Sequence, residues 1–274
     1  MDKNLHSDEI DNFRKSIWEY YRKNARSLPW RHTDNPYHIL VSEIMLQQTQ
    51  VERVVEKYRL FLSAFPDFHS LARAPLRSVL SVWQGLGYNR RAVALQRIAQ
   101  EVIMTFNGTL PFSENMLVKL PGIGKATASA IAAFAYNKPV VFLETNIRRV
   151  FIHFFFAGKN KVKDTEILPL VAKTLDFSDP RQWFYALMDY GAMLKGKIQN
   201  PNRKSAHYQK QAPFQGSNRQ LRGMVLKEIV AEHRVTESAL RKKLHVSPEK
   251  IREIFLKLQK EGFIKKRGNG FFIA

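Results

Sequence analysis

Between Leu120 and Ile147 the chain carries two features that chemistry on a phosphorylated polymer needs. In Leu-Pro-Gly-Ile-Gly-Lys-Ala-Thr, the residues Pro121, Gly122 and Gly124 make a tight turn where backbone can lie against a ligand with no side chain between. Thr127, Ala128, Ser129, Ala130, Ile131, Ala132 and Ala133 then read as a tightly packed helix. A glycine turn that opens onto a helix N-terminus presents amide N–H groups and a partial positive charge, which together suit a phosphate. Past the short run Pro139 to Leu143, one carboxylate, Glu144, stands at the start of the next predicted helix. A phosphate grip and a placed carboxylate in one segment point to chemistry on a nucleic acid. The alternative is an ordinary helix–turn–helix joint with a surface glutamate.

Composition narrows the choice. The 274 residues suffice for two domains and an ample core. Forty-four Lys and Arg against twenty-four Asp and Glu give a formal charge of +20, the footprint of a polyanion binder, with DNA or RNA the usual polyanion. A merely basic protein and a membrane-surface binder are the alternatives, and no lipidation motif supports the second. With no cysteine, disulfides, cysteine-ligated zinc and iron–sulfur clusters are excluded. No apolar run is long enough to span a bilayer, and the charged stretch Met1 to Asn12 is unlike a signal peptide, so an intracellular, cytoplasmic protein without membrane partners is expected. His32, His38, His153 and His207 lack metal-ligand spacing and read as structural or surface residues, leaving no metal site.

The elements that must position these residues are mostly helical. Phe13, Ile17, Trp18 and Tyr21 form one stripe over Ile10 to Ala25, which Leu28-Pro29-Trp30-Arg31 ends. A helix starting at Pro36 carries Ile39, Leu40, Ile44 and Met45 on its apolar face, and Gln47 to Gln50 interrupts it. Helices over Val51 to Phe65, Leu71 to Trp83 and Arg90 to Phe106 follow, the last two joined by Gln84-Gly85-Leu86-Gly87-Tyr88. Asn146 to Phe156, Ile167 to Leu175 and Trp183 to Leu194 are helical too, the last apolar on nearly every side and therefore buried. Lys195 to Asn218 is basic and almost free of aliphatic residues, a linker or a wrapping loop. Three helices then run from Leu221 to His233, Thr236 to Leu244 and Ser247 to Glu261, and Phe263 to Ile273 reads as strand, turn and strand around Lys265-Lys266-Arg267-Gly268-Asn269. This tail looks like a winged helix, whose third helix, with Lys250, Arg252, Lys257 and Lys260, suits a DNA groove or backbone; docking of a protein is the alternative.

At Ser42-Glu43-Ile44-Met45-Leu46-Gln47-Gln48-Thr49-Gln50-Val51 the chain resembles the MutY-type adenine DNA glycosylases of the helix–hairpin–helix base-excision superfamily. The likeness runs from about Trp18 to Met193 and takes in Leu28-Pro29-Trp30, Gly85-Leu86-Gly87-Tyr88, Leu120 to Gly124, Asn146 with its basic neighbours, and Met188-Asp189-Tyr190-Gly191-Ala192. It implies a mainly α protein: a two-lobed helix–hairpin–helix body over 1–195, a basic linker over 196–218 and the winged-helix-like domain over 219–274, acting as a monomer on duplex DNA with a mispaired or damaged base. An enzyme that cuts a base from its sugar must first take that base out of the stack. Glu43 matches the acid that protonates the leaving base, which at neutral pH requires burial to raise its pKa. Glu144 and Asn146 complete the implied catalytic set. Gln47, Gln48 and Tyr88 match residues that enter the gap or wedge the stack, and Gly122, Ile123, Gly124, Lys125 and Thr127 match the phosphate hairpin. The implied base pocket comprises Trp30, Arg31, Leu46, Val51, Ala126 and Tyr185.

Three positions depart from the family pattern. Glu144 stands where an aspartate is usual and adds a methylene. Ala126 replaces the lysine of strand-cleaving relatives and the serine or tyrosine of adenine enzymes, so no amine is supplied there, and base removal without strand cleavage is expected. Tyr185 replaces the Gln or Glu that reads adenine, and a phenol cannot make an amide's paired contacts. The family's iron–sulfur cluster has no ligands here, Lys195 to Lys210 taking its place, and the winged-helix-like module replaces the domain that recognises oxidised guanine. The sequence thus favours removal of adenine opposite guanine or 8-oxoguanine. Removal of thymine, uracil or a modified base opposite guanine comes next, and then DNA binding without catalysis.

Overall fold

A computed structural model describes residues 6–210 and 213–274; the N-terminal five residues of the expected body and two residues of the expected linker lie outside it. Among the described residues the chain is predominantly helical. In order these helices are α1 (Ser7–Asn24), α2 (Pro36–Leu46), α3 (Val51–Ala64), α4 (Phe68–Arg73), α5 (Leu76–Trp83), α6 (Arg90–Thr105), α7 (Glu114–Leu117), α8 (Lys125–Tyr136), α9 (Thr145–Phe155), α10 (Asp164–Thr174), α11 (Pro180–Lys197), α12 (Asn218–Glu232), α13 (Glu237–Leu244) and α14 (Pro248–Lys260). Strands β1 (Ile264–Arg267) and β2 (Gly270–Ile273) close the chain. Among the described residues, no helix is long and apolar enough to cross a membrane.

The helix expected over Leu71 to Trp83 is two helices. Pro75 has no N–H to donate and drives the preceding residue out of the helical region, so Ala74 is extended (φ −62°, ψ 141°) and α5 restarts at Leu76. Three other prolines open helices: Pro36 begins α2, Pro180 follows the capping Asp179 of α11, and Pro248 follows Ser247, whose hydroxyl accepts from the Lys250 amide at 3.4 Å; Pro169, by contrast, lies inside α10.

The chain divides into two compact units, and the division falls inside α2, after Glu43. The first holds residues 1–43 and 111–210. Phe13 is its aromatic centre, with Phe151, Phe154, Phe155 and Trp183 all within 6.0 Å of it, ring centre to ring centre. Its α8 is buried from Ala128 through Ala135, which small side chains make possible. The segment after α11 wraps rather than hangs. Val162 and Ser205 form an isolated parallel bridge, in which the Val162 amide donates to Lys204 O and the Ala206 amide to Val162 O, each at 2.8 Å.

The second unit holds residues 44–110 and 211–274. Val54, Tyr58 and Phe61 of α3 and Leu80 and Trp83 of α5 are buried in it. Its C-terminal part is winged-helix-like: α12, α13 and α14 enclose Leu226, Ile229, Leu240, Ile251 and Phe255, and β1 pairs antiparallel with β2 from Ile264↔Ile273 to Arg267↔Gly270. Gly268 takes φ +58° at the tip of that hairpin, and Val235 forms an antiparallel bridge to Phe271.

Candidate functional site

The first unit assembles two carboxyls. Glu43 lies on the third turn of α2, with only part of its surface open to solvent. Burial, reinforced by the Glu144 carboxylate, pushes its carboxyl up to about 8, so it keeps its proton at neutral pH. Glu144 is the N-cap of α9. Its Oε1 accepts from the amides of Asn146 at 2.6 Å and Ile147 at 2.8 Å, and its Oε2 accepts from Asn146 Nδ2 at 3.3 Å. Burial raises its pKa, while those two amides, Arg149 and Arg148 work in the opposite direction. Amides and a helix N-terminus favour the charged form of Glu144 and have no counterpart at Glu43, but burial prevails at both and each pKa is raised.

Asn146 is in turn held from behind. Buried Arg149 donates to Asn146 Oδ1 at 2.7 Å, to Asn200 Oδ1 at 3.1 Å and to the carbonyl of Gly191. Gly191 lets α11 lie directly on the start of α9, because a Cβ there would stand 2.3 Å from the Asn146 carbonyl oxygen. Asn202, in the segment that follows α11, donates from Nδ2 to Thr145 O at 2.9 Å, so this segment braces the same helix start.

Beside Glu43 lies Tyr185 of α11, whose pKa is raised by burial and then by the Glu43 charge. Its ring stacks on Phe134 at 4.6 Å, and the guanidinium of Arg31 sits 4.5 Å from its centre. The Tyr185 hydroxyl is buried without a hydrogen-bond partner. Asp189, one turn further along α11, fixes Arg31 through two bonds of 2.7 and 2.8 Å and also accepts from the Arg26 amide at 2.9 Å. Burial works to raise the Asp189 pKa, but its bonds to Arg31 and Arg26 outweigh that and hold it below the carboxylate range. Trp30, buried on the short 3-10 turn Pro29–Arg31, precedes this clamp.

The glycine turn joins α7 to α8. Gly122 has φ +78°, which only glycine takes without strain. Gly124 is different: its φ is −88°, and a Cβ would meet nothing within 4 Å. Neither conformation nor crowding requires a glycine there. Lys125 and Ala126 are exposed at the start of α8, and Ile123 is buried beneath the turn.

The second unit carries Leu46, Gln47, Gln48, Val51 and Tyr88. Gln48 and Tyr88 both sit in the left-handed region, at φ +56° and +47°. One buried side chain fixes both loops: Arg91 donates to the carbonyls of Ile44, Met45 and Gln47 at 3.0, 2.8 and 2.6 Å, to Thr49 Oγ1 at 3.0 Å and to the carbonyls of Leu86 and Gly87 at 3.3 and 3.1 Å. Its guanidinium also lies 5.3 Å from the Tyr88 ring centre. Burial lowers its pKa to about 10, so it remains charged. Sequence reasoning missed Arg91. The signal was its place on the core-facing stripe of α6 with Leu95, Ile98 and Val102, where an arginine must find partners.

Among the described residues no group of three His, Asp or Glu side chains is arranged to hold a metal. A cysteine-ligated iron–sulfur cluster does not fit this chain, which offers no thiolate.

Comparison with known proteins bears on this geometry. Residues 41–169 match the HhH-GPD superfamily base excision DNA repair proteins. The adenine DNA glycosylase of Buchnera aphidicola subsp. Baizongia pistaciae is 39% identical over 179 residues, covering 64% of this chain and 50% of the relative. The human adenine DNA glycosylase is 32% identical over 196 residues, covering 67% of this chain and 36% of the relative. The chain therefore spans half or less of the length of these relatives. A thermostable thymine-DNA glycosylase superposes with a TM-score of 0.63 at 25% identity, over 72% of this chain and 92% of that one.

Proposed function

We propose that the chain, whose residues 41–169 match the HhH-GPD superfamily base excision DNA repair proteins, is a DNA N-glycosylase that extrudes and excises a mispaired base from duplex DNA. The observation that carries this reading is the unlike pair Glu43 and Glu144, one carboxyl kept protonated to about pH 8 by burial and one that accepts two backbone amides at a helix start. Glu43 delivers its proton to a ring nitrogen of the base, and the bond from base to C1′ breaks. Glu144 faces the positive charge left on the sugar, with Asn146 aligning it. Water then adds to C1′, and its proton returns to a carboxylate. Ala126 offers no amine for a Schiff base, so the product is an abasic site in an uncut strand.

Gln47, Gln48 and Tyr88 occupy the gap, while Gly122, Ile123, Gly124, Lys125 and Thr127 hold backbone phosphate. Trp30, Arg31, Leu46, Val51, Ala126 and Tyr185 line the base pocket. The division into a body over 1–195, a linker over 196–218 and a winged-helix-like domain over 219–274 belongs to the same proposal.

Adenine opposite guanine or 8-oxoguanine is the first substrate, on the strength of the curated relatives. The buried hydroxyl of Tyr185 favours a second reading, thymine or uracil opposite guanine, because one phenol makes one directional contact where an amide makes two. Single-turnover reactions on duplexes with A:8-oxoG, A:G, T:G and U:G, followed by alkali, decide between them. Alkali-dependent breaks at adenine support the first reading, and breaks at thymine or uracil the second. Intact strands on every duplex, with DNA still bound, contradict both and leave a DNA-binding protein without catalysis.

A further inference from the structure

The C-terminal module reaches the loop that carries Tyr88. Arg219, on the first turn of α12, donates to the Tyr88 hydroxyl at 2.8 Å, and its guanidinium lies 6.0 Å from the centre of that ring. From this contact runs a groove floored by Ile254 and walled by Arg219, Arg222, Lys250, Glu253 and Lys257. Lys250, Glu253, Ile254 and Lys257 follow the i, i+3, i+4, i+7 spacing, so one face of α14 forms the wall opposite α12. Arg252, at about 200° around the helix from Lys250, lies on the other side.

Charge in the groove is one-sided. Glu253 is paired with Lys257, and Glu261 holds both Arg222 and Arg90, the latter at 2.6 Å. The lining thus carries four cations against one carboxylate, and Lys250 and Lys257 are exposed. The positive end of α12 points the same way.

We propose that this groove grips the phosphate backbone of the duplex next to the point where Tyr88 enters the stack, and that Arg219 couples the grip to Tyr88. The inference rests on the reading of Tyr88 given above. It makes the Lys250–Lys257 face of α14, and not the Arg252 face, the DNA-contacting side of the module. Arg219 is a positioning residue in this arrangement: its guanidinium holds the Tyr88 hydroxyl beside the groove.

The test uses the full chain and a labelled duplex containing the excised mismatch. Anisotropy titrations over a salt series give the slope of log affinity against log salt, and 2-aminopurine beside the mismatch reports unstacking. Lys250→Ala with Lys257→Ala changes two exposed side chains and leaves the core intact. It is expected to flatten the slope by about 1.8, the loss of two phosphate contacts, while Arg252→Ala leaves the slope near that of the unmodified chain. Arg219→Ala is expected to weaken the 2-aminopurine signal at saturating protein. An unchanged slope in the double variant, or an equal change in Arg252→Ala, overturns the groove. A normal 2-aminopurine signal in Arg219→Ala overturns the coupling. Failure of the unmodified chain to bind duplex in a salt-dependent way overturns the nucleic-acid reading itself, a result distinct from either.

Discussion

At the scale of residues, two glutamates of equal intrinsic acidity are made different by their surroundings. Glu144 receives two backbone amides at a helix start, while Glu43 meets mainly desolvation and the charge of Glu144. A catalytic acid must be protonated, so the excision rate should be level below pH 8 while Glu144 stays ionised. It should fall about tenfold per unit as pH rises through the value of about 8 that Glu43 takes. A single-turnover pH series checks this, and a rate that climbs through pH 8 contradicts the assignment. The Leu-Gln-Gln-Thr-Gln block and the Leu-Pro-Gly-Ile-Gly turn were legible in the sequence, because they are local and their spacing is short. The raised pKa of Glu43 was legible only as a requirement, since desolvation depends on what long-range packing brings around the carboxyl.

At the scale of elements, α11 braces both Arg31 and the helix start that carries Glu144. Asp189 fixes Arg31 against Tyr185, and Gly191 brings α11 onto the start of α9, where Arg149 and Asn146 stand behind Glu144. Gly191→Ala puts a methyl 2.3 Å from the Asn146 carbonyl oxygen. That crowding is expected to cost about 1–3 kcal/mol and to push the α9 start, with Glu144, out of register. Lowered melting temperature together with slower excision is the expected pair of readouts; wild-type values in both contradict the packing argument. The Met-Asp-Tyr-Gly-Ala segment stood out in the sequence, but its partners lie far along the chain, in residues 26–31 and 144–149, and no periodicity indicates such contacts. The break at Pro75 was missed for the opposite reason, because an apolar stripe was read through a proline whose ring and missing N–H disfavour a helix interior.

At the scale of the molecule, the winged-helix-like tail shares a compact unit with residues 44–110. Glu261, just past α14, accepts from Arg90 of α6 at 2.8 and 2.6 Å and from Arg222 of α12, and Arg77 of α5 donates to the carbonyls of Val230 and Ala231. The bonds from Arg90 and then Arg222 pull the Glu261 carboxyl down to about 2 against the opposing effect of burial. Because the folded value lies below the unfolded value near 4.5, Glu261 stabilises fully above that value and loses its contribution as pH falls from there toward 2. Glu261→Gln is expected to cost about 1 kcal/mol at pH 7, a modest figure because Arg90 is largely exposed, and to remove that part of the acid dependence. Thermal melts at pH 7 and pH 3 read both effects, and a variant that keeps the acid dependence of the parent contradicts the role given to Glu261. The tail's three helices and hairpin were readable from their caps and stripes. Its attachment was not, since Arg77, Arg90 and Glu261 look like ordinary surface charges until the chain folds.

We propose that Glu43 is the acid that releases the base. That role is tested most directly by the single-turnover excision rate of Glu43→Gln beside the unmodified chain, on the mismatch that the unmodified chain cuts. The amide has nearly the shape of the acid and no proton to give, so a loss of about 10²–10⁴-fold is expected, with duplex affinity retained. Excision at the unmodified rate by Glu43→Gln would contradict it.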